Sequence, residues 1–212
     1  MNDQTASESP QSTRHRGPAR WLAAAAVVAT GVLGVAVAAD ADDARRSERR
    51  ISFDVAENGT RFVFDAEPVF ADGMPAYGSD FVTEGLIFEA GALDNSLGFD
   101  ANGNVLEEVA DQVIGEWKCF GYMIGDGAHT ESGEWVVSTQ TYRFYGEDGR
   151  GANDSVLVSS GTENLPGEPV VRAITGGTGD YRTARGEVHQ LTTGFGENMG
   201  VLAEFTIELA RQ

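Results

Sequence analysis

The chain of 212 residues has a single cysteine, Cys119, so no disulfide can form within it. It is short of positive charge, with 15 Lys and Arg against 33 Asp and Glu. The first 50 residues hold seven of the arginines and six of the acids, so residues 51–212 carry eight basic and 27 acidic side chains, a net of −19. Nucleic acid and anionic membrane surfaces need a positive footprint, and this composition excludes both as partners. The acidic excess reads as solubility outside the cell. The three histidines, His15, His129 and His189, fall at no metal-ligand spacing, so no metal site is expected. No segment has convincing helical periodicity. The phosphate-binding signatures are missing too: Gly177-Thr178-Gly179 is followed by Asp180 and Tyr181, with no glycine at Arg182 and no Lys-Ser/Thr.

What the chain does have is 27 glycines and a succession of short alternating segments. Residues Ile51–Ala56 and Arg61–Asp65 flank Glu57-Asn58-Gly59-Thr60, where Asn-Gly predicts a hairpin. Strands are then expected over Phe81–Ala90, Val105–Val109, Val113–Ile124, Glu134–Tyr145, Ser155–Ser160, Glu168–Ile174, Tyr181–Thr192 and Val201–Leu209. Asp100-Ala101-Asn102-Gly103-Asn104 lacks the glycine and glutamate that a calcium loop needs and reads as a turn. About eight strands in turn-linked order, with no internal repeat, predict an all-β, antiparallel up-and-down barrel. Such a barrel has no exposed edges and an interior able to hold one small ligand.

The N-terminus reads as targeting. Arg14, His15, Arg16 and Arg20 precede an uncharged run from Trp21 to Ala39 that ends in Ala36-Val37-Ala38 before Asp40. That is the pattern of a cleaved signal peptide. An uncleaved membrane anchor is the alternative, since the run is near the length of a bilayer span. Residues 1–39 are therefore a signal peptide or anchor helix, 40–49 a charged flexible linker and 50–212 the barrel. Both readings place the domain outside the cytoplasm, secreted or held on the outer face of the cytoplasmic membrane.

The most specific stretch is Ala173-Ile174-Thr175-Gly176-Gly177-Thr178-Gly179-Asp180-Tyr181-Arg182-Thr183-Ala184-Arg185-Gly186. Gly176, Gly177 and Gly179 read as a tight strand-to-strand turn. The stretch resembles the signature of allene oxide cyclase-like and dirigent-like proteins. Bacterial members of that group look especially similar, and they carry strands like Trp117-Lys118-Cys119 and Phe88-Glu89-Ala90-Gly91. The acidic, asparagine-containing early strand followed by proline of plant cyclases is not found.

The resemblance implies a cofactor-independent barrel acting on a small apolar or phenolic molecule by cyclisation, isomerisation or stereoselective coupling. It places Asp180, Arg182 and Arg185 as the acid and arginine groups at the barrel mouth, and it implies a homotrimer. A structural pairing of Arg185 with Glu187 is the other reading of that cluster. Trp117, Tyr122, Tyr142 and Tyr145 are candidate cavity-lining aromatics, with core or girdle packing as the alternative. Cys119 shares a strand face with Trp117 and is expected in the core. The competing functional reading is a non-catalytic barrel module with a packed interior.

Overall fold

The structure is a computed structural model that describes residues 49–151 and 153–210. The expected leader and nearly all of the linker lie outside the described residues. Among the described residues no helix is long and apolar enough to cross a membrane.

Among the described residues nine strands form one antiparallel sheet: β1 (Arg49–Glu57), β2 (Val63–Phe64), β3 (Asp80–Glu89), β4 (Val113–Met123), β5 (Glu134–Phe144), β6 (Ser155–Asn164), β7 (Val170–Gly177), β8 (Gly186–Phe195) and β9 (Val201–Leu209). Neighbours in sequence pair in succession from β3 to β9. β1 then pairs with both β9 and β3, which closes an eight-stranded barrel. The ninth strand, β2, continues the β3 edge beyond the end of β1: β1 takes Gly85–Glu89, while β2 takes Phe81 and Val82. The all-β antiparallel barrel is thus as expected, and closure leaves the strands no long free edge.

Alternation decides which side chains fill the barrel. Phe53 and Val55 of β1, Ile87 of β3, Trp117, Cys119 and Met123 of β4, Tyr142 of β5, Leu157 of β6, Ile174 of β7, Val188 of β8 and Phe205 and Ile207 of β9 are all buried in one cluster. Phe53 stacks on Phe205 with ring centroids 5.3 Å apart, and Tyr142 meets both edge-on. A second, smaller cluster lies on the outer face. Here residues 90–112 fold back so that Phe99 and Val109 cover Ala56, Phe88 and Leu202.

Three local expectations are corrected. β1 and β2 do not form a hairpin. Asn58 instead caps a 3₁₀ turn, Gly59–Arg61, with its Oδ1 accepting from the Thr60 amide at 3.2 Å and the Thr60 hydroxyl at 2.7 Å. The strand expected at Val105–Val109 gives way to a 3₁₀ segment, Glu107–Gln112, because Val109 packs under the outer cluster. The strand expected from Tyr181 begins only at Gly186, because Gly179–Tyr181 is also a 3₁₀ turn.

The glycine-rich stretch does connect two strands, but Gly176 and Gly177, read as part of the turn, end β7 and pair with Val158 and Leu157, so the turn begins after them. Gly179 has φ +57°, and a Cβ on Gly177 would sit 2.5 Å from the Val156 carbonyl oxygen. A side chain is strained at the first position and blocked at the second. The turn drops Tyr181 into the end of the barrel, where it meets Phe144 edge-on and lies beneath the Arg49 guanidinium. That end, formed by the starts of β1, β4, β6 and β8, is sealed by an aromatic plug.

Candidate functional site

Above the aromatic layer the barrel interior turns polar. Alternation along β7 points Arg172 inward with Ile174, and the guanidinium is fully buried. A buried cation is tolerated only when its donors are satisfied. Arg172 Nε donates to Ser159 Oγ at 3.2 Å and Nη1 to the Thr162 carbonyl at 2.9 Å. Nη2 donates to the carbonyl and the hydroxyl of Ser138, both at 3.0 Å. Its Nη1 lies 3.8 Å from Oε1 of Glu163, another inward group, on β6. Glu163 in turn accepts from Ser138 Oγ at 2.5 Å, Gln190 Nε2 at 3.0 Å and Cys119 Sγ at 3.3 Å. Gln140 links this belt to the layer below, donating to Gln190 at 3.1 Å and accepting from the Tyr142 hydroxyl.

The second carboxyl group is at the open end. Glu57 is the last residue of β1 and continues the inward face of Phe53 and Val55. It accepts from Thr83 Oγ1 at 2.6 Å and from the Val201 amide at 2.8 Å. Burial raises its pKa to about 7, and the negative charge of Glu163 adds to the rise, while the two hydrogen bonds oppose it. A carboxyl group titrating there can give or take a proton near neutrality.

Glu57 and Glu163 share a small cavity with Thr83, Trp117, Cys119 and Trp135. Its volume is about 30 Å³ and it is partly open to solvent. The half-buried members of its lining are Phe62, Trp135 and Val201, which form the rim. Trp135 reaches it through a bulge: β5 and β6 pair Glu134 with Asn164 and Val136 with Glu163, leaving Trp135 as the extra residue. Strict alternation would send either Trp135 or Val136 outward, and the bulge lets both line the cavity.

Of the sequence-derived candidates, only Trp117 lines this cavity. Tyr142 is inside but deeper, with its hydroxyl engaged by Gln140 and Ser159. Tyr122 is exposed on the outer face of β4, and Tyr145 lies half-buried outside the sealed end. Asp180, Arg182 and Arg185 are exposed. Their turn follows β7 at the plugged end, whereas the cavity lies at the other end of the strands. Asp180 lines an open surface depression with Glu147, Asp148 and Asp154, and Arg185 donates to the Ala184 carbonyl at 2.8 Å. An acid–arginine pair does lie in the barrel interior, Glu163 with Arg172, and Glu163 lines the cavity together with Glu57. For Glu57 and Arg172 a signal was present in the sequence, since each interrupts an apolar strand face at an inward position; Glu163 follows Ser155, Leu157, Ser159 and Gly161 on its face and gave none.

Among the described residues no group of three or more His, Cys, Asp or Glu is placed to hold a metal ion.

The architecture has the barrel fold seen in dirigent proteins. Among the solved structures that match it are the pterocarpan synthase dirigent protein PsPTS1, with TM-score 0.55 and 18% identity over 78% of this chain and 96% of that one, and the pterocarpan synthase dirigent protein GePTS1, with TM-score 0.56 and 18% identity over 79% of this chain and 86% of that one. At that identity the likeness is one of fold. No protein-family model matches the sequence, and no curated protein matches it.

Proposed function

We propose that this chain is an exported, cofactor-independent β-barrel that binds a small, mostly apolar molecule at the Glu57 end. There Glu57 gives or takes a proton during a cyclisation, isomerisation or coupling step. The observation that supports this is the environment of Glu57. A carboxyl group with a pKa near 7, held by two hydrogen bonds, faces a cavity walled by Phe62, Phe81, Trp117, Trp135 and Met123. Proton transfer is fastest from groups whose pKa lies near the working pH, and apolar walls strengthen each electrostatic contact. Arg172 and the serine–glutamine belt fix Glu163, so of the two cavity carboxyl groups Glu57 is the one with no cationic partner among the described residues.

A second reading has an observation in its favour. A cavity of about 30 Å³ has room for roughly one water, well below ligand pockets of about 300 Å³ or more. On that reading the barrel is a packed, non-catalytic binding or interaction module. On the first, a ligand enters by displacing rim side chains such as Phe62.

The discriminating experiment is native mass spectrometry of the chain after incubation with extract from its source, followed by titration with a panel of apolar phenols and polyenes. Retained small molecules, with turnover lost in Glu57→Gln while binding persists, support the catalytic reading. A ligand-free protein that binds nothing in the panel supports the packed module.

A further inference from the structure

The cavity holds an imbalance that the carboxyl groups do not explain. The indole Nε1 atoms of Trp117 and Trp135 are both sealed from solvent, and neither has a hydrogen-bond partner among the described residues. Both rings line the same cavity. A buried N–H without an acceptor costs roughly 1–3 kcal/mol, so proteins seldom keep one, let alone two at one site. The nearby carboxyl groups do not serve them: Glu57 accepts from Thr83 and Val201, Glu163 from Ser138, Gln190 and Cys119, and neither accepts from an indole. The bulge at Trp135 spends a ladder position to bring the second indole to the rim.

We infer that the ligand of this pocket carries a carbonyl or comparable acceptor oxygen, and that the Trp117 and Trp135 indole N–H groups are its donors. The inference rests on the Glu57 end being a ligand site. The cavity volume suits it. About 30 Å³ accommodates one oxygen-sized group, not a whole ring system. Neither N–H presents surface in the closed cavity, so the oxygen reaches them as the rim side chains shift, while the apolar body stays at the rim against Phe62, Val201 and the outer edge of Trp135. A carbonyl oxygen has two lone pairs and accepts two donors, whereas a hydrocarbon leaves both indoles unpaired. Glu57 lines the same cavity, where its proton is of use.

The test uses the full chain and two matched probes, acetophenone and ethylbenzene, titrated by NMR. They share an aromatic body and differ by one carbonyl. Acetophenone is expected to bind about tenfold more tightly, the gain of one to two neutral hydrogen bonds. Trp117→Phe and Trp135→Phe keep an apolar ring and lose the donor. Each should erase part of that preference with ethylbenzene affinity little changed, and Glu57→Gln should retain it. Equal binding of the two probes overturns the inference and leaves the ligand site standing. A preference undiminished in both tryptophan variants also overturns it. Binding of neither probe removes the ligand site itself, and the inference with it. The probe comparison in the unsubstituted chain stands even where one tryptophan variant fails to fold.

Discussion

Thr83 Oγ1 donates to Glu57 Oε1 at 2.6 Å across the seam where β1 ends and β2 takes over the edge of β3. The Val201 amide of β9 holds the other oxygen at 2.8 Å, so three strands fix one carboxyl group. Both bonds favour the charged form, yet burial outweighs them and leaves the pKa near 7.

That balance makes Glu57 a pH-dependent element of stability. Its folded pKa of about 7 exceeds the unfolded value of 4.5, so the native state binds the proton more tightly. The stabilisation from Glu57 is complete below about pH 4.5 and is lost as pH rises through about 7. The shift corresponds to a loss on the order of 3 kcal/mol. Glu57→Gln cannot ionise, and the Thr83 hydroxyl can turn to accept from the amide. The variant is expected to match the parent at pH 4 and to melt several degrees higher at pH 8. Denaturation curves across that range check it, and parallel pH profiles would refute the assignment.

Arg172 and Glu163 form the polar belt as a unit. Arg172→Met strands Glu163 and two carbonyl oxygens, those of Ser138 and Thr162, in a barrel interior. Breaking a buried pair from one side costs about 3–5 kcal/mol, mostly through the uncompensated charge. Adding Glu163→Gln removes that charge and keeps one acceptor oxygen for Ser138. The double variant should therefore be more stable than Arg172→Met alone, and urea titrations of the four proteins give the coupling directly.

Much of the fold was readable in the sequence because a closed antiparallel barrel writes a period of two along each strand. The segments around Phe81–Ala90, Val113–Ile124 and Val201–Leu209 match β3, β4 and β9 to within a residue or two. The site was less readable, for physical reasons. Glu57 precedes Asn58-Gly59, whose local chemistry favours a hairpin. Pairing of β1 with β9 and β3 overrides that preference and turns Glu57 inward. Trp135 breaks the period through a bulge set by its partner strand, which no single segment reveals. Resemblance alone places the charged residues after Gly179 at a mouth. Tyr181 in their midst is a plug, and its burial leaves Asp180, Arg182 and Arg185 outside.

Cys119 is expected to be chemically silent. Its thiol is buried within the barrel, donates to Glu163, and has its pKa pushed well above the usual range by burial and by the neighbouring negative charge. Thiolate is the reactive form, so neither nucleophilic catalysis nor labelling should occur in the native state. A thiol reagent at pH 8 should leave the folded chain unmodified over hours and react with one equivalent in denaturant. Rapid labelling of the folded protein would mean that the cavity end opens widely.

The two ends of the barrel should separate in mutagenesis. Tyr181 is buried against Phe144 and under Arg49, so Tyr181→Ala opens a void at the sealed end and should cost on the order of 3 kcal/mol. Asp180→Ala, Arg182→Ala and Arg185→Ala alter exposed side chains on the same turn and should each change stability by no more than about 0.5 kcal/mol. None of the three should alter ligand binding at the Glu57 end, because the plug and the aromatic layer of Phe53, Tyr142 and Phe205 stand between. Thermal melts and the probe titrations on the same samples give both quantities. If Arg185→Ala abolished binding with its melting temperature intact, the working site would move to the glycine-rich turn, and Glu57 would be left as a structural acid.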